Sequence, residues 1–137
     1  MKVIDASVAL KWVLPEWGRD TALGYRASHE KGADLLIVPP LFWYEVANGL
    51  RRRQGLDSAA RASALEEIWA AGIEHRELDL LLLAEAVVTA VERGISVYDA
   101  SYVVLARELK CQFVTADRRL WERMAEEKDV VLLEGAE

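Results

Sequence analysis

Short apolar runs alternate with longer segments of helical periodicity along the chain. This alternation is typical of an α/β fold with a parallel sheet, because parallel strands need a crossover between them. The apolar runs predict strands at residues 3–4, 35–38, 73–78, 112–115 and 130–133. The helical segments, several of which end at a glycine or proline, are predicted at residues 7–14, 21–31, 41–53, 57–71, 81–93, 99–110 and 117–127. No repeat, low-complexity tract or long linker divides the sequence, so we expect one domain spanning residues 1–137.

The longest apolar stretch, residues 78–91, is interrupted by Asp79, Glu85 and Thr89. It is too short and too polar to span a bilayer, and it predicts a buried helix. The sequence enters its first strand without a secretory apolar segment, so we expect a cytoplasmic protein. Hydrophobic residues make up 53% and charged residues 29%, which is typical of a folded globular protein. Cys111 lies among apolar residues and is expected to be a buried, inert thiol.

The net charge is −6, from 17 basic and 23 acidic residues. Nucleic-acid-binding proteins usually show a basic excess, so this balance taken alone argues against such a partner. A tight carboxylate cluster that holds cations would account for part of the deficit, and two bound divalent ions would bring the charge to −2. The charge is therefore weak evidence against a nuclease that works through metal ions.

Three aspartates occupy similar places, where a strand gives way to a helix. Asp5 follows the first strand, Asp117 follows strand 112–115, and Asp99 opens helix 99–110. Ligands bind outside the carboxyl ends of the strands in an open parallel sheet, so these side chains are expected to converge. Helix capping is an alternative explanation for each aspartate taken alone. Three acids at equivalent positions are harder to explain by capping.

Glu45 lies in the apolar segment 41–47, which predicts a helix buried on nearly all sides. A buried carboxylate needs a partner, because an unpaired one is costly. Arg51 and Arg52 lie six and seven residues further on, beyond the reach of a good helical ion pair. Asn48, which shares the face of Glu45, is neutral. A metal ion is therefore favoured over an arginine as the partner.

Four segments containing these acids follow one another along the chain: VIDAS at 3–7, YEVAN at 44–48, YDASY at 98–102 and FVTAD at 113–117. Together they resemble the four acidic motifs of the PIN-domain ribonucleases, and more closely those of the VapC toxins of type II toxin–antitoxin modules. The resemblance covers essentially the whole chain. Each motif alone is weak, but four in the right order are a strong signal, and no motif acid is replaced.

The resemblance implies a Rossmann-like α/β/α sandwich with a five-stranded, mostly parallel sheet in the strand order 3-2-1-4-5. It also implies Mg²⁺ or Mn²⁺ at the acids, an RNA substrate, a homodimer, and a cognate antitoxin that blocks the site. Asp5 and Asp99 match the direct or water-bridged metal ligands, and Glu45 and Asp117 complete the catalytic and metal-binding cluster. The supporting positions beside the cluster are Ser7, Asn48 and Thr115.

An all-oxygen ligand set suits a hard ion such as Mg²⁺ or Mn²⁺ and disfavours zinc. Such an ion lowers the pKa of a water molecule and polarises phosphoryl oxygens. Attack by water would leave a 5′-phosphate and a 3′-hydroxyl. His29 and His75 lie in polar stretches and are expected on the surface, which argues against a histidine-based acid–base mechanism.

Basic residues follow two of the proposed acids within one or two helical turns. They are either solvated charges at helix ends or contacts to RNA phosphates. The candidates for phosphate contact are Arg51, Arg52, Arg118 and Arg119. The five tryptophans are expected in the core or in interfaces rather than as base-stacking platforms, with Trp43 and Tyr44 as candidates for a dimer or antitoxin surface.

The main alternative from another class is a binding module whose acidic pocket captures a basic peptide and catalyses nothing. A phosphotransfer receiver would need an adjacent acidic pair after the first strand, where Ala6 and Ser7 follow Asp5. A haloacid-dehalogenase-type phosphatase would need a second aspartate in place of Ser7. Cleavage of RNA is the property that separates the nuclease from the binding module.

Overall fold

The computed structural model describes residues 1–135, which contain one five-stranded sheet flanked by helices. The strands are β1 (Lys2–Ile4), β2 (Leu36–Val38), β3 (Glu74–His75), β4 (Gln112–Thr115) and β5 (Val130–Leu132). The helices are α1 (Ala6–Leu10), α2 (Arg19–Glu30), α3 (Leu41–Arg52), α4 (Ser58–Trp69), α5 (Leu80–Arg93), α6 (Val97–Leu109) and α7 (Arg118–Arg123). The strands pair in parallel in the order β3-β2-β1-β4-β5, which confirms the expected order.

The three central strands are apolar and buried, as strands covered by helices on a parallel sheet must be. Val3, Ile37 and Val114 are almost fully inaccessible to solvent. Trp12 is also buried, and its indole N–H donates to the carbonyl oxygen of Ala22 at 2.8 Å, so the ring enters the core without an unpaired donor. These residues form one apolar core around the sheet.

The register of the sheet places the ends of β1 and β4 side by side. Ile4 pairs with Val114, so the residues that follow, Asp5 and Thr115, leave neighbouring strands at the same edge. Helix α6 packs against both of these strands and brings Asp99 of its first turn to that edge. The carboxyl ends of the central strands therefore meet the N-terminal ends of α1, α6 and α7.

Several predicted boundaries were wrong, including that of α1, which ends at Leu10 rather than at residue 14. Helix α6 begins earlier than expected, because Ser96 is its cap and accepts a hydrogen bond from the backbone N–H of Asp99 at 3.0 Å. Helix α7 ends at Arg123, since the backbone of Met124 (φ −106°, ψ 19°) departs from helical values. Strand β3 has only two residues and lies at the edge of the sheet, where β2 is its one neighbour among the described strands.

The prediction of a buried helix at residues 78–91 was also wrong. Helix α5 packs against α6 through its small residues Ala86, Thr89 and Ala90. Its large side chains point away from that contact, and Leu81 and Val91 are 79% and 78% exposed. Most of the large apolar side chains of this segment therefore lie on the surface of the protein. Within residues 1–135, no helix is long and apolar enough to cross a membrane.

His29 is buried, contrary to the expectation that both histidines lie on the surface. Its Nδ1 accepts a hydrogen bond from the backbone N–H of Leu36 at 2.9 Å, and its Nε2 lies 3.1 Å from the carbonyl oxygen of Gly72. The side chain thus joins α2 to β2, which the polar residues beside it in sequence do not reveal. His75 is exposed as expected. Cys111 is half-buried rather than buried, and burial raises the pKa of its thiol, in keeping with an inert role.

Candidate active site

The carboxylate of Asp5 is held at the junction of β1, α1 and β4. It caps α1 by accepting from the backbone N–H of Ser7 at 3.1 Å, and it also accepts from the Ser7 hydroxyl. The hydroxyl of Thr115, at the end of β4, donates to its other oxygen at 2.6 Å. Ser7 in turn accepts from the backbone N–H of Ala116 at 2.8 Å. Both small hydroxyl residues named from the sequence therefore fix the position of Asp5.

Asp5 is nearly inaccessible, with 6% of its surface exposed. Burial raises the pKa of its carboxyl to about 7, although hydrogen bonds from Ser7 and Thr115 favour the ionised form. The nearby charges of Asp99 and Glu45 raise it further. Among residues 1–135, none of the ion pairs includes any of the four proposed acids. The buried carboxylate is thus balanced by hydroxyl and amide donors, without a cationic side chain.

Glu45 has a partner that the sequence did not indicate. The hydroxyl of Tyr102 donates to its Oε1 at 2.5 Å, across 57 positions of the chain. Tyr102 is fully buried and its ring stacks on Phe113 with a centroid distance of 5.5 Å, so the hydroxyl is rigidly placed. Burial raises the pKa of Tyr102, and the adjacent Glu45 adds to this, which keeps the phenol a donor. Tyr102 is therefore a positioning residue for Glu45.

Helix α3 is amphipathic rather than buried on nearly all sides, which corrects the expectation for Glu45. Phe42 and Val46 face the core, whereas Tyr44 is 81% exposed, and Glu45 lies at the boundary, half-buried. Burial raises the pKa of the Glu45 carboxyl, the Tyr102 hydrogen bond lowers it, and Asp99 raises it. Glu45 thus keeps access to solvent on the side that faces the other acids.

Asp99 and Asp117 differ in their local roles. Asp117 caps α7 by accepting from the backbone N–H groups of Arg119 and Leu120 at 3.0 and 3.2 Å. Asp99 is not the cap of its helix, so the capping explanation does not apply to it. Burial raises the pKa of the Asp99 carboxyl, the Ser96 hydrogen bond lowers it, and the charge of Asp117 raises it. Asp5 and Asp117 thus cap helices and also lie close to the other acids, so the capping explanation does not exclude the cluster.

The structure brings the four acids together around one cavity of about 330 Å³, which we call the acidic pocket. Its lining includes the sequence-predicted residues Asp5, Ser7, Glu45, Asn48, Arg52, Asp99 and Asp117. Thr115 lies behind it, on Asp5. The Oδ1 atom of Asn48 accepts from Nε of Arg51 at 3.0 Å, so Arg51 braces the amide.

A second cavity of about 240 Å³ adjoins the acidic pocket and shares Asp99 and Asp117 with it. Arg119 and Arg123 line it, and we call it the arginine cavity. Arg118 is exposed and lines neither cavity. The sequence reasoning missed Arg123, although its position four residues after Arg119 on the same helix indicates a shared face.

The donor set of the acidic pocket fits a hard divalent cation. It consists of carboxylate, hydroxyl and amide oxygens and contains neither histidine nor cysteine. Among residues 1–135, no three His, Cys, Asp or Glu side chains stand together as a ready-made metal cluster. Mg²⁺ does not require one, because it keeps several of its waters and commonly uses only one or two carboxylates. The arrangement therefore suits a largely hydrated ion better than one enclosed by protein.

The family model of the PIN domain matches residues 2–127. The chain belongs to the PIN domain family. Among its relatives, Ribonuclease VapC9 of Mycobacterium tuberculosis is 37% identical over 123 residues, with 88% of each chain covered. Ribonuclease VapC3 of Pyrobaculum aerophilum is 36% identical over 127 residues, covering 88% of this chain and 92% of the relative. The resemblance to VapC proteins inferred from the four motifs is thereby confirmed.

Two solved structures share the fold of this chain. The crystal structure of PAE2754 from Pyrobaculum aerophilum superposes with a TM-score of 0.72 at 26% identity, covering 97% of this chain and 83% of the other. Mycobacterium tuberculosis VapC20, a toxin that cleaves the sarcin–ricin loop, gives a TM-score of 0.69 at 18% identity, covering 95% and 97%. The PIN fold thus explains why acids from four separate segments meet at one edge of the sheet.

The raised pKa of Asp5 predicts how the stability of this PIN domain depends on pH without metal. Between its ordinary value of 3.8 and about 7, the folded protein binds a proton that the unfolded chain has lost. The free energy of unfolding therefore falls as pH rises through this window, by up to about 1.4 kcal/mol per pH unit. Chelator-treated protein should melt at a higher temperature at pH 6 than at pH 8. The Asp5→Asn variant should show a flatter dependence, and a wild type that melts lower at pH 6 would contradict the prediction.

The bond from Tyr102 to Glu45 predicts the cost of removing one hydroxyl. Tyr102→Phe leaves a half-buried carboxylate without its donor, so the free energy of unfolding should fall by about 1–3 kcal/mol in urea denaturation at pH 8. The matched control is Tyr25→Phe, since the Tyr25 hydroxyl makes no hydrogen bond within residues 1–135 and its removal should cost little. Equal losses in the two variants would show that Tyr102 does not support Glu45.

Proposed function

We propose that this chain is the toxin of a toxin–antitoxin pair and cleaves RNA with Mg²⁺ or Mn²⁺ held at the acidic pocket. The observation that carries the proposal is the meeting of Asp5, Glu45, Asp99 and Asp117 around one cavity in a chain related to VapC ribonucleases. Burial is the main cause of the raised pKa values of Asp5, Glu45 and Asp99, and the charges of neighbouring carboxylates raise them further. A bound cation relieves the repulsion between these charges.

Each acid has a distinct part in this proposal. Asp5 and Asp99 hold the ion directly or through water, and Glu45 and Asp117 complete the set. Ser7 and Thr115 keep the Asp5 carboxylate in one orientation through their hydrogen bonds. These residues create the negative, rigid site that a hard cation requires.

When bound, an ion of this type makes water a better nucleophile and stabilises charge on the phosphoryl group and the leaving oxygen. The products of such hydrolysis carry a 5′-phosphate and a 3′-hydroxyl. Asn48, held by Arg51, adds an amide at the rim of the pocket. Arg52 in the acidic pocket and Arg119 in the arginine cavity supply positive charge for the flanking RNA phosphates. Arg118, exposed on the same helix as Arg119, extends that basic surface.

The cognate antitoxin is a second protein that covers the acidic pocket and thereby excludes RNA. A segment with basic side chains would complement the four carboxylates. The same charge complementarity underlies the alternative of a non-catalytic module for a basic peptide. Cleavage is therefore the decisive property.

Asp99→Asn is the sharpest test of the proposed chemistry. It removes one negative charge from the pocket, and because Ser96 caps α6 the helix keeps its start. Changes to the outer partners of metal sites already cost about 10- to 100-fold, so losing this ligand should lower cleavage of total cellular RNA by at least that much. Mg²⁺ at a hundred times its dissociation constant should stabilise the wild type by about 2.7 kcal/mol, and the variant much less.

The matched control for this experiment is Asp79→Asn. Asp79 caps α5 by accepting from the N–H of Leu82 and lies outside the acidic pocket, so the variant should cleave like the wild type. Cleavage that survives chelation of divalent ions would refute the metal mechanism. Tight binding of a basic peptide without any RNA cleavage would favour the binding module.

We also propose that α5 forms the interface of a homodimer. Leu80 and Leu81 lie two turns from Val87 and Val88, so all four belong to one stripe that continues to Val91. A contiguous exposed apolar surface of this kind is typical of a protein–protein contact.

Disrupting that stripe should separate the subunits. The wild type should sediment at about twice the 15.4 kDa of one chain, and Leu81→Asp should shift it towards the monomer. Trp17→Asp is the control, since Trp17 is exposed elsewhere and should leave the mass unchanged. A Leu81→Asp protein that keeps the wild-type mass would place the interface on another surface.

A further inference from the structure

A third cavity, of about 380 Å³, lies against the acidic pocket. Leu41, Tyr44, Glu45, Asn48 and Tyr98 line it, and we call it the tyrosine cavity. It shares Glu45 and Asn48 with the acidic pocket, so a molecule that occupies one cavity borders the other.

Two exposed aromatic rings distinguish this cavity. Tyr44 immediately precedes Glu45 on α3, and Tyr98 immediately precedes Asp99 on α6. They are 81% and 66% exposed, so neither ring contributes to the core. Each of these tyrosines therefore lies next to one of the proposed metal-binding acids and presents its ring to solvent.

The two cavities that flank the acidic pocket differ in chemistry. Arg119 and Arg123 line the arginine cavity on the side of Asp99 and Asp117, and they suit a phosphate. The tyrosine cavity has a mostly apolar lining with no cationic side chain. A polyanionic strand laid across the acidic pocket thus meets positive charge on one side and aromatic surface on the other.

Resting on the proposed ribonuclease function, we propose that Tyr44 and Tyr98 form a stacking site for a nucleobase of the RNA beside the bond that is cleaved. Aromatic side chains bind the unstacked bases of single-stranded RNA by stacking, and every base offers a π-face. The site therefore selects an unpaired nucleotide at this position rather than a particular base. Trp43, one residue before Tyr44, is not part of it, because its ring packs on Phe42 and Trp69.

A comparison of RNA with and without bases tests this site directly. The variants are made in the Asp99→Asn protein with Mg²⁺ present, so that binding is measured rather than cleavage. The probes are a fluorescein-labelled twelve-nucleotide adenylate RNA and an abasic ribose-phosphate oligomer of the same length. Tyr44→Ala with Tyr98→Ala should weaken binding of the adenylate RNA about 5- to 100-fold in fluorescence anisotropy. Binding of the abasic oligomer should hardly change.

Two matched variants complete the experiment. Tyr44→Phe with Tyr98→Phe keeps both rings and should bind the adenylate RNA like the parent protein. Trp17→Ala removes an exposed aromatic ring elsewhere and should also leave binding unchanged. Equal weakening for the two oligomers, no weakening at all, or a loss in the phenylalanine variant equal to that in the alanine variant would overturn the proposal.

Sedimentation of the alanine variant excludes the other occupant of the cavity. If the change converts a dimer into a monomer, the tyrosines contact a second copy of the chain and the nucleobase site is refuted. Failure of the ribonuclease proposal is seen separately, as a wild-type protein that cleaves no RNA with Mg²⁺. The binding comparison and the cleavage assay therefore report on different claims.

Discussion

The burial of the Asp5 carboxylate at the junction of β1, α1 and β4 is the constraint on which the site depends. A carboxylate in this place is costly unless it is hydrogen-bonded, and Ser7 and Thr115 supply the donors from two different strand ends. Their bonds tie the start of α1 to the end of β4 and so lock the edge of the sheet. This order comes with a proton affinity of Asp5 well above that of an ordinary aspartate, which a cation bound in the acidic pocket would lower.

The strand order followed from the family resemblance, whereas the meeting of the acids followed from a simple rule. Parallel strands deliver their carboxyl ends to one edge, so aspartates that follow separate strands converge there whatever their distance along the chain. The residues next to Asp5 and Asp117 in sequence were enough to place each aspartate at the end of a strand. Their small neighbours, Ser7 and Thr115, were also recognisable because they stand within two residues of an acid.

The relations that the sequence did not show are those set by long-range contacts. Tyr102 meets Glu45 only because the fold brings these residues of α3 and α6 together, and nothing near Glu45 in sequence indicates a phenolic donor. His29 is surrounded by polar residues in sequence, yet its ring satisfies a backbone N–H of β2. In α5 the apolar run was clear, but hydrophobicity alone does not say whether a face meets the core or another molecule.

The different local duties of the aspartates have a consequence for how such a protein changes under selection. Asp5 and Asp117 each satisfy backbone N–H groups at the start of a helix, whereas the start of α6 depends on Ser96 and leaves Asp99 structurally dispensable. Under the proposed function, replacement of Asp99 would therefore remove a metal ligand at little cost to the fold. At Asp5 and Asp117, replacement by a residue that cannot cap a helix would also weaken the start of α1 or α7, so maintenance of the fold itself favours a capping side chain at two of the four positions.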